Sequence, residues 1–502
     1  MQYSLIRVAI VSSLLAALLQ CGPAVAADDV PAPEEFAAVR ERIQSEISKG
    51  VVPALSVAVV RNDRLVWAQG FGHSNLEDRT PATSNTIYRL ASISKPLTAT
   101  GLMKLVDRGA IDLDAPANQY LPGPRLRTYL GSANEMTIRR IANHTSGLPI
   151  HYNFFYDGVA IPSMDETIRR YGFASKTPGS GWEYSNLGFG ILNYITATVA
   201  GTLWGEFMEQ EVYDPLGMSR TSDRIRPGRE SDAAVQYGRD LTGRFFPVSH
   251  YEFDHPGASV IVSTVQDLAR FARLHMNAGQ LDGVRILSPE ATQQMQVKTS
   301  SSGSDRGYGI AWAISTYRGQ RSIAHSGGMP GVSTILRLFP DDKSALVVLT
   351  NSDRRNATTK ISEWIGKTLY DGRSSSSTGT PTDETPRDLD GNWKGTLAHH
   401  DGEIAVSVCV KGEKIRVRLG NGPLLTLQDA RFVAGELRGH VAGRIPTQPT
   451  YHGNSVIRLR LRSYGDDRLA GTAVAFADGY YALAHWVDVR RPGSEQASRA
   501  DE

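Results

Sequence analysis

Three short groups of residues in this sequence have the types and spacing for nucleophilic acyl transfer. The first is Ser92-Ile93-Ser94-Lys95, which sets an amine three positions after a hydroxyl. A serine hydroxyl is a poor nucleophile until a neighbour takes its proton, and a lysine can take it if its surroundings keep the amine neutral. The second is Tyr184-Ser185-Asn186. A phenol can share the proton traffic, and an asparagine amide can hold a substrate carbonyl while hydrogen-bonding the lysine. The third is His325-Ser326-Gly327-Gly328, where glycines permit close approach of backbone to substrate and an amide can donate to an oxyanion. His325, neutral or charged near pH 7, could steer a substrate carboxylate or assist a proton transfer. Each group has a plainer alternative. Ser92 can be a helix cap with Lys95 solvated, the second group a turn with a capping Ser or Asn, and the third a Gly-rich connection between strands.

The flanking sequence favours the chemical reading. Leu97, Leu102, Leu105 and Val106 form an apolar helical stripe ending at Gly109, so Ser92 and Lys95 fall on one face of a first helical turn. Pro96 is harmless there because the opening amides of a helix lack internal partners. The positive end of that helix disfavours an ammonium and offers N–H groups to a developing oxyanion. A second apolar run, Leu187 to Val199, opens directly behind Tyr184-Ser185-Asn186. Pro33 to Lys49 also reads as a helix, with Phe36, Val39, Ile43 and Ile47 at three- and four-residue spacing. Leu55–Val60 and Leu65–Ala68 flank Asn62-Asp63 as a hairpin, and Val332–Phe339 and Ala345–Thr350 flank Pro340 to Lys343 in the same manner. Between the hairpins helical signals dominate, and Ser263-Thr264-Val265-Gln266 reads as a capping box.

Taken in order, Ser-x-x-Lys, Tyr-x-Asn and His-x-Gly resemble the serine β-lactamase and penicillin-binding-protein superfamily, in its class C and DD-peptidase-like branch. Leu90 to Pro96, Asn143-His144-Thr145-Ser146-Gly147-Leu148-Pro149, and Pro178-Gly179 ahead of the tyrosine group are similar to phrases of that family, over about residues 30 to 370. The resemblance implies an α/β fold: an antiparallel sheet built from both ends of the domain, flanked by helices, with a helical insertion. It implies that Ser92 is acylated, that Lys95 and Tyr184 handle protons, and that Asn186 binds the substrate amide. His325, Gly327 and Gly328 would line the substrate, with the amides of Ser92 and Gly328 as the oxyanion hole. His144 would support a loop.

One departure bears on substrate. The β-lactam specialists of the family carry Lys-Thr-Gly at the third position, whereas His325-Ser326-Gly327 is more similar to the esterases, D-aminopeptidases and D-amino-acid amidases of the group. A hydrolase of an amide or ester in a small molecule or peptide, including peptidoglycan-derived peptides, is therefore expected. The alternative is a β-lactamase, or a penicillin-binding sensor that acylates with little turnover. No cofactor or metal is implied, and the scattered histidines show no paired ligand spacing.

The remaining sequence sets limits. With 54 Lys plus Arg against 52 Asp plus Glu, the chain has no field to gather nucleic acid or anionic lipid. Arg7 precedes the apolar run Val8 to Leu19 and then Ala24-Val25-Ala26, which predicts a signal peptide over residues 1–26 and a secreted or periplasmic protein. No later run reaches the length of a stable membrane span. Gln20 departs from a lipoprotein box at Cys21, so lipidation is not expected, and loss of the leader leaves Cys409 as a lone thiol that permits no internal disulfide. The hydrolase domain is expected over residues 27–370. Residues 371–388, with four consecutive serines, read as a linker. Beyond them Ile404, Val406, Val408 and Val410 alternate, as do Ile415, Val417 and Leu419, and Ile457, Leu459 and Leu461 alternate with arginines. Residues 389–490 are expected to form a small β-barrel, and Leu389 to Gly395 resembles the opening of lipocalin-like barrels. The expected role of that barrel is packing, with no contact to the chemistry.

Overall fold

The computed structural model describes residues 29–301, 306–370, 389–433, 435–445 and 456–492; the expected leader and linker lie outside them. The elements that position the site are, in chain order, α1 (Ala37–Ser48), β1 (Ala54–Arg61), β2 (Arg64–Asn75), α2 (Ser94–Asp107), β3 (Tyr152–Tyr156), α3 (Asn186–Ala200), α4 (Val265–Met276), β4 (Gln320–Met329), β5 (Val332–Phe339), β6 (Ser344–Thr350) and α5 (Arg355–Leu369).

Both expected hairpins form. Asn62 and Asp63 take φ values of 50° and 63°, left-handed geometry that matches the twist of the flanking strands β1 and β2. β1 then pairs antiparallel with β6, Leu55 opposite Thr350 through Val60 opposite Ala345, so the two ends of the domain close one sheet. That sheet has nine strands, in which β4, β5, β6, β1 and β2 are consecutive neighbours. β1 and β6 are apolar on both sides because both faces are covered. Val57, Val59 and Val348 pack with Phe36, Ile43, Ile361 and Ile365 of the terminal helices. Ala58, Val60, Val347 and Leu349 pack with Leu97, Leu102, Phe271 and Leu274 of the inserted helices. Among the described residues no single helix is long and apolar enough to cross a membrane.

The capping signal before α4 is displaced by one residue. Thr264 is the cap, its hydroxyl accepting from the Asp267 N–H at 3.1 Å. Ser263 cannot serve because its backbone pairs with Tyr88 in a short ladder.

The strands from Gly391 to Arg490 curve into a nearly closed barrel. The path has nine segments, but Leu425–Thr426 and Gln428–Val433 are separated by Leu427 alone and act as one bent strand joining its two ends. Val406, Val408, Val417, Leu459, Leu461 and Val487 fill the interior, as their alternation predicts. Trp393 is wholly buried there, its indole N–H donating to the Leu389 carbonyl at 3.1 Å.

The barrel is bound to the preceding domain by three kinds of contact. Its last strand, Tyr481–Arg490, pairs with β3, Tyr481 opposite Asn153 and Ala482 opposite Tyr152. Phe173 packs among Ala470, Val474, Ala482, Ala484 and Trp486, and Tyr129 stacks on Trp486 with ring centroids 4.8 Å apart. Buried Glu436 of the barrel meets Lys176 at 3.3 Å, Arg438 at 2.9 Å and Arg462 at 3.3 Å, while Arg460 of the barrel meets Glu183 at 3.0 Å. Burial alone would raise the Glu436 carboxyl, but Lys176 and the two arginines hold it below the usual range.

Candidate active site

Ser92 lies in a single 3-10 turn, Ala91–Ile93, that runs directly into α2. The first bond of that turn joins the Ile93 N–H to the Leu90 carbonyl at 3.3 Å, so the Ser92 N–H precedes it and is left for another acceptor. Ala91 sits at φ 49°, a strained conformation for alanine held by packing on both sides. On one side Leu90 N–H donates to the Ile261 carbonyl at 2.9 Å. On the other β4 presses so close that a Cβ at Gly327 would stand 2.3 Å from the Leu90 carbonyl oxygen and from Thr334 Oγ1. Gly327 is therefore required by the approach of strand to turn. Gly327→Ala is expected to destabilise the protein by about 1–3 kcal/mol. By shifting the Ser92 turn it should also lower kcat/KM about 100-fold. Thermal melting and steady-state rates check this, and a variant with native values for both would contradict it.

Lys95 is fully buried. Its Nζ stands 3.1 Å from Ser92 Oγ and donates to Asn186 Oδ1 at 2.7 Å and to the Ala258 carbonyl at 3.2 Å. Among the described residues no carboxylate bonds it. Burial pushes the amine well below its ordinary value. The faces of Tyr184 and Phe189, at 4.7 and 5.6 Å, favour a cation, but such contacts reach only about 2 kcal/mol. That is small against the cost of desolvating an unpaired ammonium, so the neutral form prevails. A neutral amine has two N–H donors and one lone pair. The two fixed oxygens take the donors, and the lone pair is left facing the Ser92 hydroxyl.

The Tyr184 hydroxyl donates to Ser92 Oγ at 2.9 Å, and burial raises its pKa despite that bond, so the phenol keeps its proton. Ser185 does act as a cap, accepting from Gly188 N–H at 3.2 Å at the start of α3, which leaves Tyr184 and Asn186 to project to either side. Asn186 donates through Nδ2 to the His151 carbonyl at 2.7 Å, which fixes the amide so that its oxygen faces Lys95. His144 has the expected supporting role. Its Nδ1 accepts from Ser185 N–H at 3.2 Å and its carbonyl from Glu183 N–H at 2.8 Å, holding the tyrosine segment at both ends.

His325 lies within β4, which removes the plainer alternative of a Gly-rich connection between strands. Its Nδ1 faces the Ser326 carbonyl at 2.9 Å and must be the donor; Nε2 then accepts from the Tyr308 hydroxyl at 2.8 Å. Burial pushes it down to about 3. A neutral ring with both nitrogens committed has no charge to offer a carboxylate. Gly328 is suited to its role by register. Met329 and Val332 flank the two-residue turn Pro330-Gly331 as the hydrogen-bonded pair, so in the next pair, Gly328 opposite Ser333, the N–H points away from β5.

Ser92, Asn186 and Gly328 line one cleft of about 1130 Å3. Its wall includes Asp353 and Arg355 and, from the barrel, Asp478, Gly479, Tyr480 and Tyr481. The barrel therefore reaches the same cleft as Ser92, which corrects the packing-only expectation. The cause is the pairing of β3 with the last barrel strand, which carries the preceding turn over the cleft; the Tyr480 carbonyl accepts from Phe154 N–H at 2.8 Å.

Sequence reasoning also missed a buried group. His151, Asp254 and His255 bring one potential metal-ligand atom each within 4.8 Å of one another, as do His399, His400 and Asp401 on the barrel. The first three are brought together by folding, which spacing could not reveal. Asp254 Oδ1 accepts from His255 at 2.7 Å and His151 at 3.0 Å, ordinary hydrogen-bond lengths.

Residues 37–365 match the Beta-lactamase family. Penicillin-binding protein 4* of Bacillus subtilis (strain 168) is 27% identical over 323 residues, 59% of this chain and 68% of that protein. Unguisins hydrolase ungD' of Aspergillus campestris (strain IBT 28561) is 28% identical over 359 residues, 68% of this chain and 64% of that protein, so the match spans less than two thirds of that relative. The solved structure of SurE superposes with a TM-score of 0.63 at 22% identity, covering 89% of this chain and 98% of the other.

Proposed function

The chain belongs to the Beta-lactamase family and is a serine hydrolase, and on that premise we propose that it cleaves an amide or ester bond of a small molecule or short peptide through an acyl-Ser92 intermediate. The observation that carries this reading is the buried Lys95 amine, bonded to the neutral oxygens of Asn186 and Ala258 and 3.1 Å from Ser92 Oγ. Lys95 takes the Ser92 proton as Oγ attacks the substrate carbonyl. The N–H groups of Ser92 and Gly328 hold the oxyanion, and Asn186, with one Nδ2 hydrogen free, holds the substrate amide. The Tyr184 hydroxyl protonates the leaving group, and the proton gained by Lys95 replaces it. Water then attacks the acyl carbon and gives a proton to Lys95, neutral again, which passes it to Ser92 Oγ as the acyl–Oγ bond breaks and the acid leaves.

The walls support a short acyl group with both polar and apolar parts: the carboxylates of Asp353 and Asp478 and the guanidinium of Arg355 share the cleft with Phe154, Phe246 and Phe253. The uncharged His325 supports D-amino-acid amides, peptides and esters over β-lactams, because it supplies no cation at the third position. Asp478 to Tyr481 overhang the cleft and favour short substrates over polymers. The expected leader over residues 1–26 supports a secreted or periplasmic location.

A panel of short-chain esters, D-amino amides, D-aminoacyl peptides and β-lactams tests the reading. Turnover is expected on one of the first three classes. Stoichiometric acylation by β-lactam with no turnover elsewhere would instead support a penicillin-binding sensor.

A further inference from the structure

Beneath Lys95 lies a buried carboxylate that takes no part in the steps above. The Asp254 side chain is completely shielded from solvent. Its Oδ1 accepts from both imidazoles, and its Oδ2 lies 3.4 Å from Asn153 Nδ2. Burying a carboxylate is costly, and an apolar residue of similar size would pack there at less expense. What an apolar residue could not do is hold two rings at fixed angles around one point.

Each ring is tied to one of the oxygens that orient Lys95. The His151 carbonyl accepts from Asn186 Nδ2 at 2.7 Å, and Asn186 Oδ1 accepts from Lys95 at 2.7 Å. The His255 carbonyl accepts from Ala258 N–H at 3.1 Å in the turn Pro256–Ala258, and the Ala258 carbonyl accepts from Lys95 at 3.2 Å. That turn is also bound to both helices of the site. Thr98 of α2 donates to the Gly257 carbonyl at 2.7 Å, and Gly257 N–H donates to Asn193 of α3 at 3.0 Å. Two backbone segments about 100 residues apart therefore meet at one anion, and each presents one acceptor to the same amine.

We propose that Asp254 is a positioning residue for the base: by gathering His151 and His255 it fixes both acceptors that aim the Lys95 lone pair at Ser92. The proposal rests on the acyl-serine reading above. Without the carboxylate the two segments can relax independently, and one lost acceptor lets the amine turn from the hydroxyl. Asn186 also holds the substrate amide, so substrate binding weakens as well, but by less than acylation, because the Ser92 and Gly328 amides are not tied to this cluster.

The test is a double-mutant cycle on the acylation step, followed by the pre-steady-state burst with a chromogenic ester. Asp254→Leu, which removes the shared acceptor at similar size, is expected to slow acylation about 100-fold, with a smaller rise in the substrate dissociation constant through Asn186. In a Lys95→Met background the same change should have no further effect on acylation, because Asp254 acts through the amine. Wild-type acylation in Asp254→Leu, or a full multiplicative loss in the double variant, would overturn the proposal. If Asp254→Leu melts below the assay temperature, His255→Phe carries the comparison by removing one arm, with a smaller loss that again vanishes without Lys95. Stoichiometric zinc in the purified protein, with acylation lost on chelation, would also overturn it by making the cluster a metal centre. A Lys95→Met single variant acylating at the wild-type rate would sink the underlying assignment of the base instead, so the two failures are distinguishable.

Discussion

Ser92→Ala is expected to lose turnover by roughly a million-fold, the scale seen when a nucleophile is deleted and its supporting groups remain. The fold should survive. Ser92 is half-buried at the cleft, and its hydroxyl accepts the Tyr184 bond but supports no backbone group. A fluorophosphonate probe should label the wild-type protein and leave the variant unlabelled, with melting temperatures within a few degrees. The informative control is Ser94, two residues on. It is buried and its Oγ accepts from the Ile261 N–H at 3.1 Å, so Ser94→Ala should weaken the fold and leave labelling intact. Equal labelling of wild type and Ser92→Ala would remove Ser92 from the mechanism.

Lys95→Met is expected to lower acylation about 1,000-fold, the middle of the range for removal of a general base. Its effect on stability should have the opposite sign. Burial holds the folded-state pKa of Lys95 well below its unfolded value of 10.5. Between those two values the unfolded chain binds a proton that the folded chain does not, so stability rises with pH across the window and is lost as pH falls. The slope from this one group is about 1.4 kcal/mol per pH unit. Methionine has no proton to bind. Lys95→Met should therefore melt above wild type at neutral pH, with the gap narrowing as the solution becomes more alkaline. For the same reason, wild-type acylation should fall on the acid side as Lys95 becomes protonated. A variant that is less stable than wild type across this range, or an acylation rate unchanged by acid, would mean that the amine is not held neutral. A gain in stability with a loss of rate is the pattern expected where a strained group is kept for function.

What could be read from sequence was local. Ser92 and Lys95 are one helical turn apart, so their proximity follows from a stripe of leucines and a stop. Asn62-Asp63 announces its hairpin because few other residues accept positive φ at consecutive positions. The barrel strands announce themselves by alternation. What stayed hidden was carried by groups without a sequence signature or by contacts between distant segments. The Ala258 carbonyl is a backbone atom that any residue would supply. His151 and Asp254 become neighbours only through the fold, and β3 meets the last barrel strand across more than 300 residues. The ionisation of His325 was equally out of reach, since it depends on burial and on the nearness of Lys95. Ser263 and Thr264 show a smaller limit: either could cap α4, and only the pairing of Ser263 with Tyr88 decides between them.

The most direct measurement is acid-quenched mass spectrometry during turnover of a slow ester, with the covalent adduct located by fragmentation. The account predicts a mass increase equal to the acyl group on Ser92, absent from Ser94 and accumulating at the rate of the burst. An acyl group on any other residue, or sustained turnover at saturating substrate with no adduct formed even when deacylation is made limiting, would contradict it.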